Sequence, residues 1–220
     1  MEKQVQAVLF DMDGVIFDSE RLVIECWQAV AEKHNIPDIV EICMRVQGIN
    51  RVETGKKFLE KYGNDFPYET YKKEVTALFR QLYGEGRLPV KPGVREILAA
   101  LKQEGIPMAV ASSTRSDIVR MELEEAGILQ HFDAVLGGDM VERSKPEPDI
   151  FLAAAKAVGA EPARCYVLED SYNGIRAAYR AGMHPIMVPD MQAPTAEMHE
   201  LAEVILPDLF KAWEYIAGKL

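Results

Sequence analysis

Short runs of apolar and β-branched residues recur along the chain, and amphipathic stretches separate several of them. Residues 5–10 (VQAVLF) form the first run. Residues 108–113 (MAVASS), 134–137 (AVLG), 165–169 (CYVLE) and 184–188 (HPIMV) follow, with 204–206 a weaker sixth. Runs this short, bounded by turn residues, predict buried strands. Residues 93–103, 116–125, 149–158 and 173–181 carry their apolar positions at helical spacing. Strand and helix therefore alternate, which predicts a parallel sheet with helices on both faces. Gly127, Gly159 and Gly182 each stand just past a helical pattern, where a left-handed C-cap is wanted.

From about residue 19 to about residue 88 the rhythm changes. Residues 19–34, 51–62 and 68–83 read as helices with no strand among them, punctuated by Pro37, Gly48 and Pro67. Residues 84–93 (GEGRLPVKPG) are rich in Gly and Pro, as a linker returning to the first rhythm would be. The expected fold class is α/β: a Rossmann-like parallel-sheet core (1–17 and 89–220) with an inserted α-helical domain (18–88).

Composition narrows the function classes. With 48% hydrophobic residues, the 220-residue chain can bury a real core. Its 35 Asp and Glu against 25 Lys and Arg leave a net charge of −10. That balance argues against nucleic-acid backbones and anionic membranes as partners. It does not exclude a small phosphorylated ligand, because a few local cations and a metal override net charge. Cys26, Cys43 and Cys165 are too scattered for a disulfide framework, no C-x-x-C pair exists, and each reads as a buried thiol. The opening MEKQVQAVLFDMDG does not read as a signal peptide, and no apolar stretch reaches about 18 residues. The expectation is a cytoplasmic protein with no membrane contact and no protein partner evident.

The chemistry concentrates where the first run ends, at Phe10-Asp11-Met12-Asp13-Gly14-Val15. In parallel sheets, ligands bind beyond the carboxyl ends of the strands. Residues two apart point to the same side of an extended chain, so Asp11 and Asp13 can address one site. Gly14 then permits a sharp departure. An Asp pair in a loop equally serves turns and caps. The residues that follow, Val-Ile-Phe-Asp-Ser-Glu, make the combination far more specific.

Residues 10–20 (FDMDGVIFDSE) resemble motif one of the haloacid dehalogenase (HAD) superfamily, in its branch of sugar-phosphate phosphatases and β-phosphoglucomutases. Residues 110–113 (VASS) resemble motif two, an apolar strand ending in Ser or Thr. Residues 144–149 (SKPEPD) resemble motif three. Leu168-Glu169-Asp170-Ser171, with Gly174, Ala177, Ala178 and Gly182 behind it, resembles motif four and its helix. The four motifs stand in the correct order and span essentially the whole chain.

The resemblance implies a phosphate-ester enzyme. Such an ester is highly charged and resists anionic attack. Catalysis needs a placed nucleophile, a divalent cation, and a lysine or hydroxyl to absorb phosphoryl charge. Asp11 matches the nucleophile that forms an aspartyl-phosphate. Asp13 matches the group that protonates the leaving alkoxide and later takes a proton from water. Dehalogenases and phosphonatases of the superfamily lack an Asp at that position. The implied cofactor is Mg²⁺, held by Asp11, the backbone carbonyl of Asp13, and Asp170, with Glu169 at an additional metal-associated position of the mutase branch. Out of context, Glu169 and Asp170 read as negative charge at the start of the next helix. Ser112 would donate to a phosphoryl oxygen, although alone it reads as a strand-end turn serine. Lys145 would neutralise the phosphate and hold Asp11 ionised, presented by backbone that Pro146 and Pro148 stiffen. Ser171 and Asn173 would orient the metal ligands or simply cap the helix.

Residues 18–88 resemble the small helical cap of this branch, a lid that excludes water and touches the non-reacting part of the substrate. Residues 48–51 (GINR) resemble its substrate loop. That implies Arg51 and Asn50 as substrate contacts; Ser113, in the motif-two stretch, is expected to be another, with Lys72 and Lys73 as further candidates. A salt bridge is the plain alternative for Arg51. His34 reads as a surface or helix-end residue. β-Phosphoglucomutases carry a His shortly after the Asp-Ser or Asp-Thr pair, and Val23 stands there instead. The expected function is a Mg²⁺-dependent phosphatase for a small phosphorylated metabolite, a sugar phosphate. The alternatives are a phosphosugar mutase and, less favoured, a non-catalytic phospholigand binder.

Overall fold

The computed structural model describes residues 5–220, so residues 1–4 of the expected core lie outside the described residues. Strand β1 (Ala7–Phe10) is followed by four helices, α1 (Ser19–His34), α2 (Ile39–Arg45), α3 (Arg51–Tyr62) and α4 (Tyr68–Tyr83). The alternating part follows: α5 (Val94–Gln103), β2 (Met108–Ala111), α6 (Ser116–Glu125), β3 (Ala134–Leu136), α7 (Asp149–Ala157), β4 (Cys165–Glu169) and α8 (Tyr172–Arg180). It ends with β5 (His184–Met187), α9 (Ala196–Leu201), β6 (Val204–Ile205) and α10 (Leu209–Ala217).

The strands form one parallel sheet in the order β3-β2-β1-β4-β5-β6. Successive side chains along a strand face opposite ways, and the clusters follow that alternation. Val8, Phe10, Val110, Tyr166 and Leu168 join one core, against α5, α6 and α10. Ala7, Leu9, Ala109, Ala111, Cys165 and Val167 join the other, against α7 and α8. With both faces buried, the strands read as nearly continuous apolar runs rather than alternating ones. Phe10 pairs with Val110 on one side and Leu168 on the other. That register brings Asp11, Ser112 and Glu169 to the same end of the sheet.

Helices α1–α4 bury a separate cluster that includes Trp27, Ile42, Phe58, Tyr68 and Val75. The Trp27 and Phe58 rings lie 4.8 Å apart and Trp27 stacks on Tyr68 at 6.1 Å. Helix α2 is not among the sequence expectations. It has only seven residues, and its buried stripe is Ile39, Ile42 and Cys43, too short to register as a period. The same holds for the six-residue α9. Helix α10 buries Leu209, Ala212 and Ile216, a stripe at helical spacing that lies beyond the expected elements. Gly127, Gly159 and Gly182 have φ of +68°, +68° and +71°, the left-handed exits that the pattern requires. All three cysteines are buried and free. Among the described residues, no helix is long and apolar enough to cross a membrane.

Candidate active site

The Asp11 amide donates to the Leu168 carbonyl at 2.9 Å, one step beyond the β1–β4 ladder, so the sheet holds this residue's backbone. The residue is 6% exposed and its Oδ1 accepts from Lys145 Nζ. Lys145, itself 2% exposed, donates also to Glu169 Oε1 at 2.7 Å and lies over the Phe151 ring at 4.8 Å. The other Glu169 oxygen accepts from the Ser171 amide at 2.8 Å and the Ser171 hydroxyl at 2.9 Å. The Ser171 oxygen in turn accepts from the Gly174 amide at 3.0 Å and caps α8. A continuous hydrogen-bonded chain thus runs from the start of α8 through Glu169 and Lys145 to Asp11.

Gly174 makes that chain possible. A Cβ there would stand 1.7 Å from Glu169 Oε1, inside the carboxylate. Gly174→Ala is therefore expected to push Glu169 off Lys145 and cost about 1–3 kcal/mol, as overpacking does. Thermal melting checks this; a variant that melts with the parent refutes the tight fit.

Asp13 is held differently. Ser19 Oγ donates to its Oδ1 at 2.6 Å and Thr114 Oγ1 donates to its Oδ2 at 2.9 Å. Neither partner is charged. Asp170 is 4% exposed and has no hydrogen-bond or ion-pair partner among the described residues. Its carboxylate lies against the turn after Asp13: a Cβ on Gly14, whose φ is +84°, would meet Asp170 Oδ2 at 2.2 Å.

Electrostatics follow from burial. Loss of solvent pushes Asp11 well above the usual carboxylate range; Lys145 pulls it back, and Glu169 and Asp13 push it up again. Asp170 is raised by burial first, then by Glu169 and Asp11. Burial alone would lower Lys145, but Asp11 and Glu169 outweigh it and hold the ammonium above the usual lysine range. Three carboxylates, Asp11, Glu169 and Asp170, are buried here, and the one ammonium, Lys145, pairs with the first two.

Asp11, Asp13 and Asp170 open onto a cavity of about 760 Å³ between the sheet end and the inserted helices. Other expected residues are placed less simply. Ser112 is fully buried and its oxygen accepts from the Thr114 amide at 3.0 Å, with its own proton uncommitted. Ser113 donates to the Gly48 carbonyl at 2.8 Å. Asn50 caps α3 by accepting from the Glu53 amide at 3.0 Å, and its own amide donates to Ser144 Oγ at 2.9 Å. Asn173 donates to the Gln47 carbonyl at 3.1 Å. These four bonds fasten residues 47–50 to the core or finish a helix, while Asn50 and Ser113 both line the cavity. Arg51 lines the cavity as well as pairing with Glu69, and its side chain is half-exposed. Lys72 lines the cavity, and burial lowers its pKa; Lys73 is exposed. His34 bonds Glu74 at 3.0 Å and packs on Tyr71 at a helix end. Glu169, expected at the metal, has both oxygens taken by Lys145 and Ser171.

Sequence reasoning passed over Ser19 and Thr114, which hold Asp13, and Glu20 and Gln47, which line the cavity. Ser19 and Glu20 lie inside the motif-one stretch, and Thr114 stands two residues past Ser112, so position relative to the motifs was the available signal.

Residues 5–182 match the family model of the haloacid dehalogenase-like hydrolases, more than half of the chain. The chain belongs to that family. Asp11, Asp13, Ser112, Lys145, Glu169 and Asp170 of this HAD-like hydrolase all fall inside the matched stretch. It is 33% identical to a phosphorylated carbohydrates phosphatase of Thermotoga maritima over 182 residues, covering 83% of this chain and 84% of that one. It is 31% identical to a β-phosphoglucomutase of Bacillus subtilis over 222 residues, covering 96% of each. Among solved structures, a β-phosphoglucomutase from Clostridium difficile superposes with a TM-score of 0.82 at 26% identity, over 98% of this chain and 96% of that one.

Proposed function

We propose that this chain is a Mg²⁺-dependent phosphatase that hydrolyses a small phosphorylated metabolite, a sugar phosphate, through an aspartyl-phosphate on Asp11. The observation that carries the proposal is the pairing of two unlike carboxylates at one cavity. Asp11 is buried against a lysine, while Asp13 sits half-buried between two neutral hydroxyls. One suits a nucleophile kept ionised; the other suits a proton carrier.

The donor set fits a divalent cation. Asp11, Glu169 and Asp170 against Lys145 leave two negative charges uncompensated, and Asp170 has no partner of its own. Among the described residues, no three Asp, Glu, His or Cys side chains gather as an all-protein cage. Mg²⁺ is commonly bound by one or two carboxylates and completes its shell with water and phosphate oxygens. Asp11, Asp170 and the Asp13 carbonyl would hold it here. When bound, it would supply charge neutralisation for the phosphoryl oxygens. Glu169 departs from the expectation: it fixes Lys145 and is not a metal ligand in this proposal.

Asp11 attacks phosphorus, and Lys145 with the uncommitted proton of Ser112 takes up charge on the phosphoryl oxygens. Asp13 gives its proton to the leaving oxygen and later draws one from water, held in aim by Ser19 and Thr114. Helices α1–α4, as a cap domain spanning residues 18–88, close over the cavity, with residues 47–50 as the docked edge. The sugar-phosphate assignment rests on the substrates named for the two curated relatives. Hydrolysis is favoured over mutase chemistry because Val23, on the cavity wall, offers no proton-transferring group where the mutases carry His.

The test is a phosphate-release screen over sugar phosphates, nucleotides, phosphoglycolate and pyrophosphate, with Mg²⁺ and then with chelator. Release with Mg²⁺ that drops to background in chelator and returns on re-addition is expected. Equal release in chelator refutes the metal, and an isomerised sugar phosphate without free phosphate refutes hydrolysis.

A further inference from the structure

Glu20 is part of the motif-one stretch, yet none of the chemistry above uses it. It stands in the first turn of α1, directly after Ser19, whose hydroxyl bonds Asp13 at 2.6 Å. Its position relative to the proton carrier is thereby fixed. The Glu20 carboxylate lines the same cavity as Asp11 and Asp13. Its only hydrogen bond among the described residues is a long one, 3.4 Å, from the side-chain amide of Gln47. Gln47 also lines the cavity, and its backbone carbonyl is anchored by Asn173 at 3.1 Å, so the donor arm is anchored too.

Glu20 makes no ion pair among the described residues; the cation whose field reaches it is that of Lys72, another residue lining the cavity. Burial raises its pKa to about 8, with Asp13, Asp190 and Glu169 adding to the rise and Gln47 opposing it. The one nearby ammonium on Asp190, that of Lys91 at 2.6 Å, is already paired. A half-buried carboxylate with carboxylate neighbours and one long hydrogen bond gives a fold little, so packing does not account for it. A carboxylate offers about four acceptor positions, and one long bond leaves most of them facing the cavity.

We propose that Glu20, oriented by Gln47, is a specificity-determining residue that accepts hydrogen bonds from hydroxyl groups on the leaving part of the substrate, near the ester oxygen. This rests on the phosphatase reading and sharpens it. The substrate class becomes polyhydroxylated phosphate esters, at the expense of alkyl esters of the same length. Hydroxyl groups are the complementary donors, and a site built to bond them discriminates strongly against an analogue that lacks them.

The experiment compares sorbitol 6-phosphate with n-hexyl phosphate, using the full chain with Mg²⁺, in the parent, Glu20→Gln, Glu20→Ala and Gln47→Ala. The parent is expected to prefer the hydroxylated ester. In Glu20→Gln that preference, as a ratio of kcat/KM, is expected to fall about tenfold or more, the size expected for losing hydrogen bonds to a charged group. Gln47→Ala is expected to move the ratio the same way. The Glu20→Gln protein is expected to melt at or above the parent temperature, because a half-buried charge beside other carboxylates has gone. Equal losses on both esters, or an unchanged ratio, overturn the assignment. So does a lower melting temperature, which would mark a structural role. If the parent releases phosphate from neither ester, nor from any other in the broader screen, the phosphatase reading itself fails and the subsite falls with it.

Discussion

Asp11→Asn is expected to lower phosphate release by more than about 10³-fold, roughly 4 kcal/mol in barrier height, while the protein stays folded. The amide keeps the shape of the carboxylate and its oxygen can still accept from Lys145. What it loses is the anionic oxygen that would attack phosphorus. Stability should move the other way. Burial, Glu169 and Asp13 all work against a charged Asp11, opposed by Lys145. In metal-free buffer the variant is therefore expected to melt no lower than the parent. A discontinuous phosphate assay and a thermal melt on the same preparation check both halves. Release within tenfold of the parent would remove Asp11 from the nucleophile role.

Much of this site was legible because a parallel sheet gathers its strand ends. Asp11, Ser112 and Glu169 are far apart in the chain, yet each directly follows or ends an apolar run, and the pairing of Phe10 with Val110 and Leu168 makes them neighbours. Their convergence needed only the strand pattern and the rule that ligands bind beyond carboxyl ends. What pattern does not carry is which hydrogen bonds each side chain makes. In sequence Glu169 is expected at the metal, because it matches a metal-associated position of the mutase branch. Its role follows from a lysine 24 positions away and from a serine amide that wraps back on it. Asn50 reads as a substrate contact because residues 48–51 resemble a substrate loop; it lines the cavity, and a helix also begins there, whose exposed amides its side chain serves. Ser113 likewise lines the cavity and meets a backbone carbonyl of residues 47–50. The docked position of those residues against three core segments, at Ser113, Ser144 and Asn173, is tertiary, and no local spacing encodes it.

Lys145→Met is expected to be the most destabilising substitution at the site. Methionine fills similar volume but removes the single cation between Asp11 and Glu169, which are 6% and 0% exposed. Breaking a buried pair by removing one partner costs about 3–5 kcal/mol, a large share of the roughly 5–15 kcal/mol that holds a typical domain together. For a chain of this size that corresponds to a drop of about 6–20 °C in melting temperature. The cost lies in stranded charge, so it should be recoverable. Lys145→Met with Glu169→Gln leaves only Asp11 charged within the former triad, and is expected to regain a substantial part of the lost stability. Activity should not return with it, because both variants lack the ammonium that would take up phosphoryl charge. Melting curves of the parent, both single variants and the double, all in chelator, give the coupling between the two residues. A single Lys145→Met variant that melts with the parent would show that the Asp11–Lys145–Glu169 chain contributes nothing to the fold. In that case any loss of activity would belong to phosphate binding alone.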